Sequence, residues 1–516
     1  MTKLLKRLTV LVAALSLAAT SLAQSNTATV LQGVDPGTLD PAKFASTTQQ
    51  TLFTHIFDTL TELDWETGQL VGKLATSWEI IDDLTWRFHL REGVTFQNGE
   101  PFDANVMQYN LERLVDPTVG AYAWFFVADA DFESSRVIDD YTIEIKTKQP
   151  SALVAELLRF VFVVPQGYYS STDLTELASH PVGSGPYKLV SWTRDEAIVL
   201  ERWDDYWGDK PSIERIVVRS VPEASTRIAE LVTGGADLVV NVPPDQTLLI
   251  ERDANTTVKS VESGRVIHIM IDNSVVPFND LRARLALNYG VDKQAIIDNL
   301  FLGLGTPLAG IANGPWRNEN IQPYPFDRVK ALELFAEVGY TPDANGVLRN
   351  AAGEAIVVTL DTPSGRYLKD VEVAQAVRDD LRRLGLVVEV EPLEWSVRTQ
   401  RQNSGALAPL SLGGLGGLFN GVGEMRWVTP TPQYSDRDRE IRWQSQEFED
   451  LYADMRATLD DATRKQKVDR LQELAMEGAP WIFLYRQYDN YGVSNRLVGW
   501  EPRPDEVLDL RRVELK

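Results

Sequence analysis

Few side chains of this 516-residue chain are spaced to break bonds. Its four histidines, His55, His89, His180 and His268, stand far apart and share no metal-ligand spacing. His89 and His268 fall in alternating runs, and all four read as structural. There is no cysteine, which excludes disulfides, thiolate catalysis and cysteine-held metals. Gly183-Ser184-Gly185 lacks the Gly-x-Ser-x-Gly frame of a nucleophile elbow. Gly413-Gly414-Leu415-Gly416-Gly417 is no dinucleotide fingerprint, because the last required glycine falls on Phe419 and no strand–helix frame surrounds it. Carboxylates are abundant, but in so acidic a chain they read as a solvated surface. No nucleophile, base and orienting group assemble, so neither an enzyme acting on peptides nor any cofactor is expected. What remains suits recognition. Arg366, in Thr362-Pro363-Ser364-Gly365-Arg366-Tyr367, can grip a carboxylate through two hydrogen bonds; its bland alternative is a surface arginine.

The elements that must position such residues are legible in part. His180-Pro181-Val182-Gly183-Ser184-Gly185-Pro186-Tyr187 is a turn whose glycines allow positive φ or close backbone approach. Strands are expected over Tyr187–Trp192, Ala197–Trp203 and Ile213–Val221, then a helix over Pro222–Thr233 with Ala224, Ile228 and Leu231 on one face. Gly234 stops that helix, and a strand follows Asp237. The aromatic, acidic turn from Trp203 to Pro211 reads as a cap on a core. Upstream, Thr29–Gln32 is an edge strand and Thr51–Leu60 a helix. Leu84–Leu90 alternates as a half-buried strand, and Asp103 caps a helix over 104–114. Downstream, Asp327 and Gly339 bound one helix, another runs from Asp370 to Gly385, and Val387–Val390 is a strand. Asp461–Glu477 is a further helix before the strand Trp481–Tyr485. This mixture of strands and helices is α/β.

Composition sets the compartment and excludes partners. Residues 1–23 read as a secretory leader: Lys3, Lys6 and Arg7, an apolar run from Leu8 to Ala19, then Ser21-Leu22-Ala23 before a cut at Gln24. The net charge is −23, and loss of the leader removes three further positive charges. Such a surface repels nucleic acid and anionic lipid. With no cysteine after the leader there is no lipid anchor, so a free periplasmic protein of a double-membrane cell is expected. Gln402–Gly423 carries no charge, but its seven glycines, two asparagines and Pro409 argue against a membrane span.

The 180–237 block, the segment Gly99-Glu100-Pro101-Phe102-Asp103-Ala104, and Asn273 to Lys293 together resemble the family 5 extracellular solute-binding proteins of bacterial ABC importers. The last stretch carries Pro277-Phe278, then Arg282-Ala283-Arg284-Leu285-Ala286-Leu287 and Asp292-Lys293. Two departures are Asn105-Val106 for the usual Asp-Val, and Gly290 for alanine. The resemblance implies a two-lobed periplasmic-binding-protein fold with a hinge and an additional inserted domain. Residues 24–64, 180–266 and 485–516 would form lobe I, 65–179 the extra domain and 267–484 lobe II. It also implies a monomer that captures a small or oligomeric solute, peptide-like or else an oligosaccharide, for an ABC permease, meeting the membrane only there. Candidate ligand residues follow from matching loops: Gly33 and Asp35 after the first strand, Asn273 at a strand end, Arg366 and Tyr367 in the Pro-x-Gly-x-Tyr-x-x-Asp loop, and Asn420, Glu424 and Trp427 in the 412–427 segment. There the family's amine-binding aspartate is missing and Glu424 is the substitute. Trp124, with Trp316, Trp395 and Trp443, is expected on cleft-facing loops. The glycines of that segment suit either close approach to a ligand or a flexible loop. The 180–237 block is then the frame, and specificity lies in 362–367 and 412–427.

Overall fold

The computed structural model describes residues 26–43, 46–65, 67–121, 129–416, 425–428 and 442–516. The expected leader lies outside them. Among the described residues, no helix is long and apolar enough to cross a membrane.

One mixed sheet of eleven strands organises the described residues. Its order is Val387–Leu393, Val357–Pro363, Leu410–Leu415, Thr256–Ile271, Trp481–Ser494, Leu238–Val239, Thr27–Gln32, Arg215–Ser220, Ala197–Arg202 and Tyr187–Thr193, with Gly305–Pro307 alongside Trp481–Ser494. The sheet has two halves, and only the two long antiparallel strands, 256–271 and 481–494, belong to both. Residues 256–262 pair with 488–494 in the first half, and 266–270 pair with 481–486 in the second. Between them the register breaks. Gly264 N instead donates to Pro504 O at 2.7 Å, so the C-terminal tail fills the gap. A bulge of this kind bends paired strands.

Each half buries its own face. In the second, Ile267, Ile269 and Ile271 meet Phe278, Leu287, Val377 and Leu381 from the helices Leu281–Gly290 and Asp370–Leu384 and the loop before them. A separate four-stranded antiparallel sheet, Ala75–Asp82, Thr85–Leu90, Thr142–Thr147 and Phe132–Asp139, packs under the helix Ala104–Val115. The buried pair Arg113–Asp40, at 2.8 Å, ties that helix to the loop after the first strand.

Local signals act as their chemistry dictates. Asp103 accepts from Val106 N at 2.9 Å and Asp327 from Lys330 N at 2.9 Å, each capping a helix. Gly234, Gly339 and Gly385 stop helices with φ of 80°, 89° and 104°. Thr29–Gln32, expected at an edge, belongs to a strand paired on both sides, with 215–220 and 238–239. Two boundaries differ most from expectation. The helix expected at Thr51–Leu60 runs Thr47–Ile56, because Ser46 caps it by accepting from Gln49 N. The strand expected to end at Tyr485 continues to Ser494, because its polar residues find partners: Arg486 donates to Ala312 O at 3.0 Å and Asn490 accepts from Ser260 Oγ at 2.6 Å.

Gly183 and Gly185 have no positive φ; close approach is their reason. A Cβ on Gly183 would lie 2.1 Å from Ile56 O, and one on Gly185 2.6 Å from Ile56 C. Ser184 Oγ donates to Asp58 at 3.0 Å, and Trp207 Nε1 and Tyr206 OH donate to the same carboxylate at 2.9 and 3.3 Å. The aromatic turn therefore clamps the frame onto the end of helix 47–56.

Candidate functional site

Where the sheet halves meet lies a cavity of about 50 Å³, partly open to solvent. The first half supplies Gln32, Gly33, Val34, Thr47, Thr48, Thr51, Val240 and Asn241. Gly365 and Arg366 come from the second half, Asp489 and Tyr491 from a long strand, and Glu506 and Leu508 from the tail. At the rim the halves nearly touch: a Cβ on Gly33 would sit 3.8 Å from Gly365 O.

The loop holding Arg366 is fixed by one carboxylate. Asp370, at the start of helix 370–384, accepts from the backbone N of Gly365, Arg366, Tyr367 and Val371 at 2.9 to 3.1 Å. Burial raises the pKa of Asp370, and those four N–H groups oppose the rise. Tyr367 OH donates to Gly414 O at 3.2 Å, which anchors the loop to strand 410–415. The half-buried Arg366 guanidinium then lies 5.4 Å from the Tyr367 ring centroid and 5.3 Å from that of Trp395. Among the described residues, no carboxylate lies within ion-pairing distance of it. Burial and the neighbouring Arg265 lower its pKa from the ordinary arginine value.

The hinge wall is charged. Buried Arg265 pairs with Glu506 and stacks on Tyr367, 5.2 Å from the ring centroid. Burial pulls the Arg265 pKa down, but the charge and hydrogen bond of Glu506 carry it above its usual value. Thr47 Oγ1 and Ser263 Oγ each donate to Glu506 at 3.3 Å. Asp489 beside them is 3% exposed. Burial pushes its carboxyl up to about 7, with Glu506 adding and Arg265 opposing.

The expected site residues separate into groups. Gly33 and Arg366 line the cavity, and Tyr367 braces it from behind. Asp35 organises its own loop, accepting from Trp192 Nε1 at 2.9 Å, Asp195 N at 3.1 Å and Gly37 N at 2.8 Å. Asn273 donates to Ile271 O at 2.8 Å; neither it nor Asp35 is part of the lining. Trp124, Asn420 and Glu424 lie outside the described residues, as does the Trp427 side chain. Of the other tryptophans, Trp395 flanks Arg366, whereas Trp316 packs on Arg464 and Trp443 on Phe448. Gly413 and Gly414 sit in a strand, where a Cβ would lie 3.0 Å from His268 and 2.7 Å from Tyr367. Their close approach is to side chains of this chain. Sequence reasoning missed Asp489 and Glu506. The signal for Asp489 was an acid inside an aromatic run, Tyr485 to Tyr491.

A second cavity, also about 50 Å³, lies between helix 47–56 and the tail. Its charges satisfy one another: Lys73 pairs with Asp58 and Glu62 at 3.5 and 3.2 Å, and Arg511 with Glu62 at 2.5 Å. His55 is spent nearby, donating from Nδ1 to Thr51 O at 2.6 Å and accepting at Nε2 from Leu510 N at 3.2 Å. His268 stacks on Trp481 at 3.8 Å.

Two sheet halves joined by two bent strands, with a cavity at the join, define a binding protein of the two-lobed, hinged class. The family model of the bacterial extracellular solute-binding proteins, family 5 (middle region), matches residues 69–432, and the chain belongs to that family. The chain is similar to the glutathione-binding protein GsiB of Pectobacterium atrosepticum, with 27% identity and 92% of each chain covered. It is also similar to heme-binding protein A of Haemophilus influenzae, with 26% identity, 87% of this chain and 85% of the relative. Among solved structures, the periplasmic binding protein DppA of Helicobacter pylori in complex with the peptide STSA matches with TM-score 0.85 at 24% identity, over 95% of this chain and 98% of that one. NikZ of Campylobacter jejuni, in complex with Ni(L-His), matches with TM-score 0.86 at 20% identity, over 95% and 99%. These structural likenesses show the fold.

Proposed function

We propose that this chain captures a small peptide-like solute bearing a free carboxylate, holds it between the lobes without reacting with it, and delivers it to an ABC permease. One observation carries the reading: Arg366, fixed in the cavity wall, has no carboxylate partner among the described residues. A bidentate solute carboxylate would satisfy it. The names of the relatives, a glutathione-binding protein and a peptide-bound DppA among them, agree with this class. Residues 24–64, 180–266 and 485–516 serve as lobe I, 267–484 as lobe II and 65–179 as the added domain. The leader 1–23 is cleaved, and the monomer works in the periplasm.

The test is calorimetry with glutathione and a panel of di- to tetrapeptides, each with its C-terminal amide. The expected affinity for at least one free acid is micromolar or tighter, about −8 kcal/mol. Arg366→Ala should weaken that acid by roughly tenfold or more and leave its amide nearly unchanged. Equal affinity for acid and amide in the wild type removes Arg366 from recognition. Failure of every peptide, with binding of cello- or xylo-oligomers, replaces the peptide reading with an oligosaccharide one. Recovery of altered peptide by mass spectrometry makes the chain an enzyme.

A further inference from the structure

Asp489, like Asp129 and Asp361, is a buried acid with one oxygen lacking a hydrogen-bond partner. Its Oδ1 accepts from Gln487 Nε2, and the Ser263 hydroxyl lies near enough to lower its pKa, while Oδ2 has no partner at hydrogen-bond geometry. Buried carboxylates ordinarily satisfy their oxygens, since an unmet acceptor away from water is costly. Of the three, Asp489 is the one that lines the cavity where the sheet halves meet. The basic group nearest in the wall, Arg265, is committed to Glu506 and cannot serve both acids equally. Around Asp489 stand Gln487 and Tyr491 on its own strand, Arg265 and Ser263 on the partner strand, and Glu506 from the tail. Two acids against one guanidinium leave this end of the cavity short of positive charge whenever Asp489 is ionised. Across it, Arg366 leaves the other wall short of negative charge.

We propose that Asp489 is the cation-binding group of the site, its free Oδ2 receiving an ammonium of the solute at the hinge while Arg366 takes a carboxylate. This rests on the reading of Arg366 given above and narrows the solute to zwitterions. The hinge position adds a consequence. The strand that carries Asp489 crosses between the lobes, so the solute is fixed to the crossing itself as well as to lobe II.

Burial holds the free Asp489 near 7, so a cation beside it draws the proton off. At pH 6 a peptide ammonium is fully protonated and most Asp489 carboxyls carry their proton. Binding there should release about one proton per peptide, and affinity should fall as pH drops from 7 to 6.

The experiment is calorimetry at pH 6 in buffers of different ionisation enthalpy, with trialanine and N-acetyl-trialanine on the full chain and on Asp489→Asn. The wild type should prefer trialanine by roughly tenfold or more and release about one proton with it. Asp489→Asn should lose both the preference and the proton release, with Arg366-dependent binding of N-acetyl-trialanine retained. Equal binding of the two peptides by the wild type, or no proton release, overturns the Asp489 role while leaving the carboxylate reading intact. If neither these two peptides nor any member of the glutathione and peptide panel binds the wild type, the peptide reading falls and this role with it. Should Asp489→Asn fail to fold, the wild-type contrast and its proton count decide alone.

Discussion

Lys369 is expected to act as a latch on the closed lobes. Its Nζ lies 2.7 Å from Asp245 Oδ1, joining the loop that carries Arg366 to the turn Pro244–Gln246 of the first sheet half. Lys369 adopts a left-handed backbone (φ 54°) immediately before Asp370, so its position is fixed by the same carboxylate that fixes Arg366. Its hydrogen bond lowers the pKa of Asp245. The Lys369 side chain is 19% exposed but that of Asp245 is 53%, so water screens much of the attraction. A pair of this kind contributes about 0.2–1 kcal/mol. Removing it should shift the balance between closed and open forms by at most about fivefold, and no solute can lose more affinity than that through the latch alone. Lys369→Ala, Asp245→Ala and the double variant should each bind roughly two- to fivefold more weakly by calorimetry, equally for every solute. The double variant should be no worse than either single one, and the loss should shrink in high salt. Small-angle scattering of the solute-free variants should show a larger radius of gyration. A loss above tenfold, or one that depends on solute charge, would place Lys369 against the solute and refute the latch.

Acid should loosen the junction between helix 47–56 and the tail through His55. Burial holds its folded pKa down at about 4, against about 6.5 in the unfolded chain, so its contribution is complete above pH 6.5 and is lost as pH falls toward 4. At pH 5 the loss is about 2 kcal/mol, visible as a lower urea midpoint than at pH 7.5; a similar midpoint shift in His55→Gln would exclude His55 as its source. Gly185→Ala should cost about 3 kcal/mol or more, since its Cβ would meet the backbone of His55 and Ile56 at 2.6 to 2.7 Å. An unchanged melting temperature would mean that this turn can move away from helix 47–56.

What the sequence made legible was local. Asp103, Asp327, Gly234 and Gly385 act within one turn of themselves, so their types alone announce the ends of helices. The frame at 180–237 was legible for the same reason, although the cause of its glycines, the backbone of Ile56, lies far away in sequence. The cavity is the opposite case: 32–34, 47–51, 240–241, 365–366, 489–491 and 506–508 meet only after the sheet forms. Arg366 was found because a fixed loop motif surrounds it. Asp489 was not, because Arg486, Gln487 and Asp489 interrupt the apolar pattern and read as the end of a strand. Pairing with 256–262 decides otherwise, and pairing is a property of the partner.

That misreading and the bend between the lobes have one physical origin. Residues 263–265 leave the ladder, and the tail answers with Pro504 O on Gly264 and Glu506 on Arg265. A strand pair that kept its register there would be stiffer and would offer no free side chains at the crossing. The break instead turns Arg265 and Ser263 toward Glu506, and leaves Asp489 with one oxygen unmatched beside them. The crossing strands therefore bring flexibility and a polar wall to the same place. A solute that bridges Asp489 and Arg366 stabilises only the arrangement in which both walls are near, which is the condition for binding energy to close the lobes.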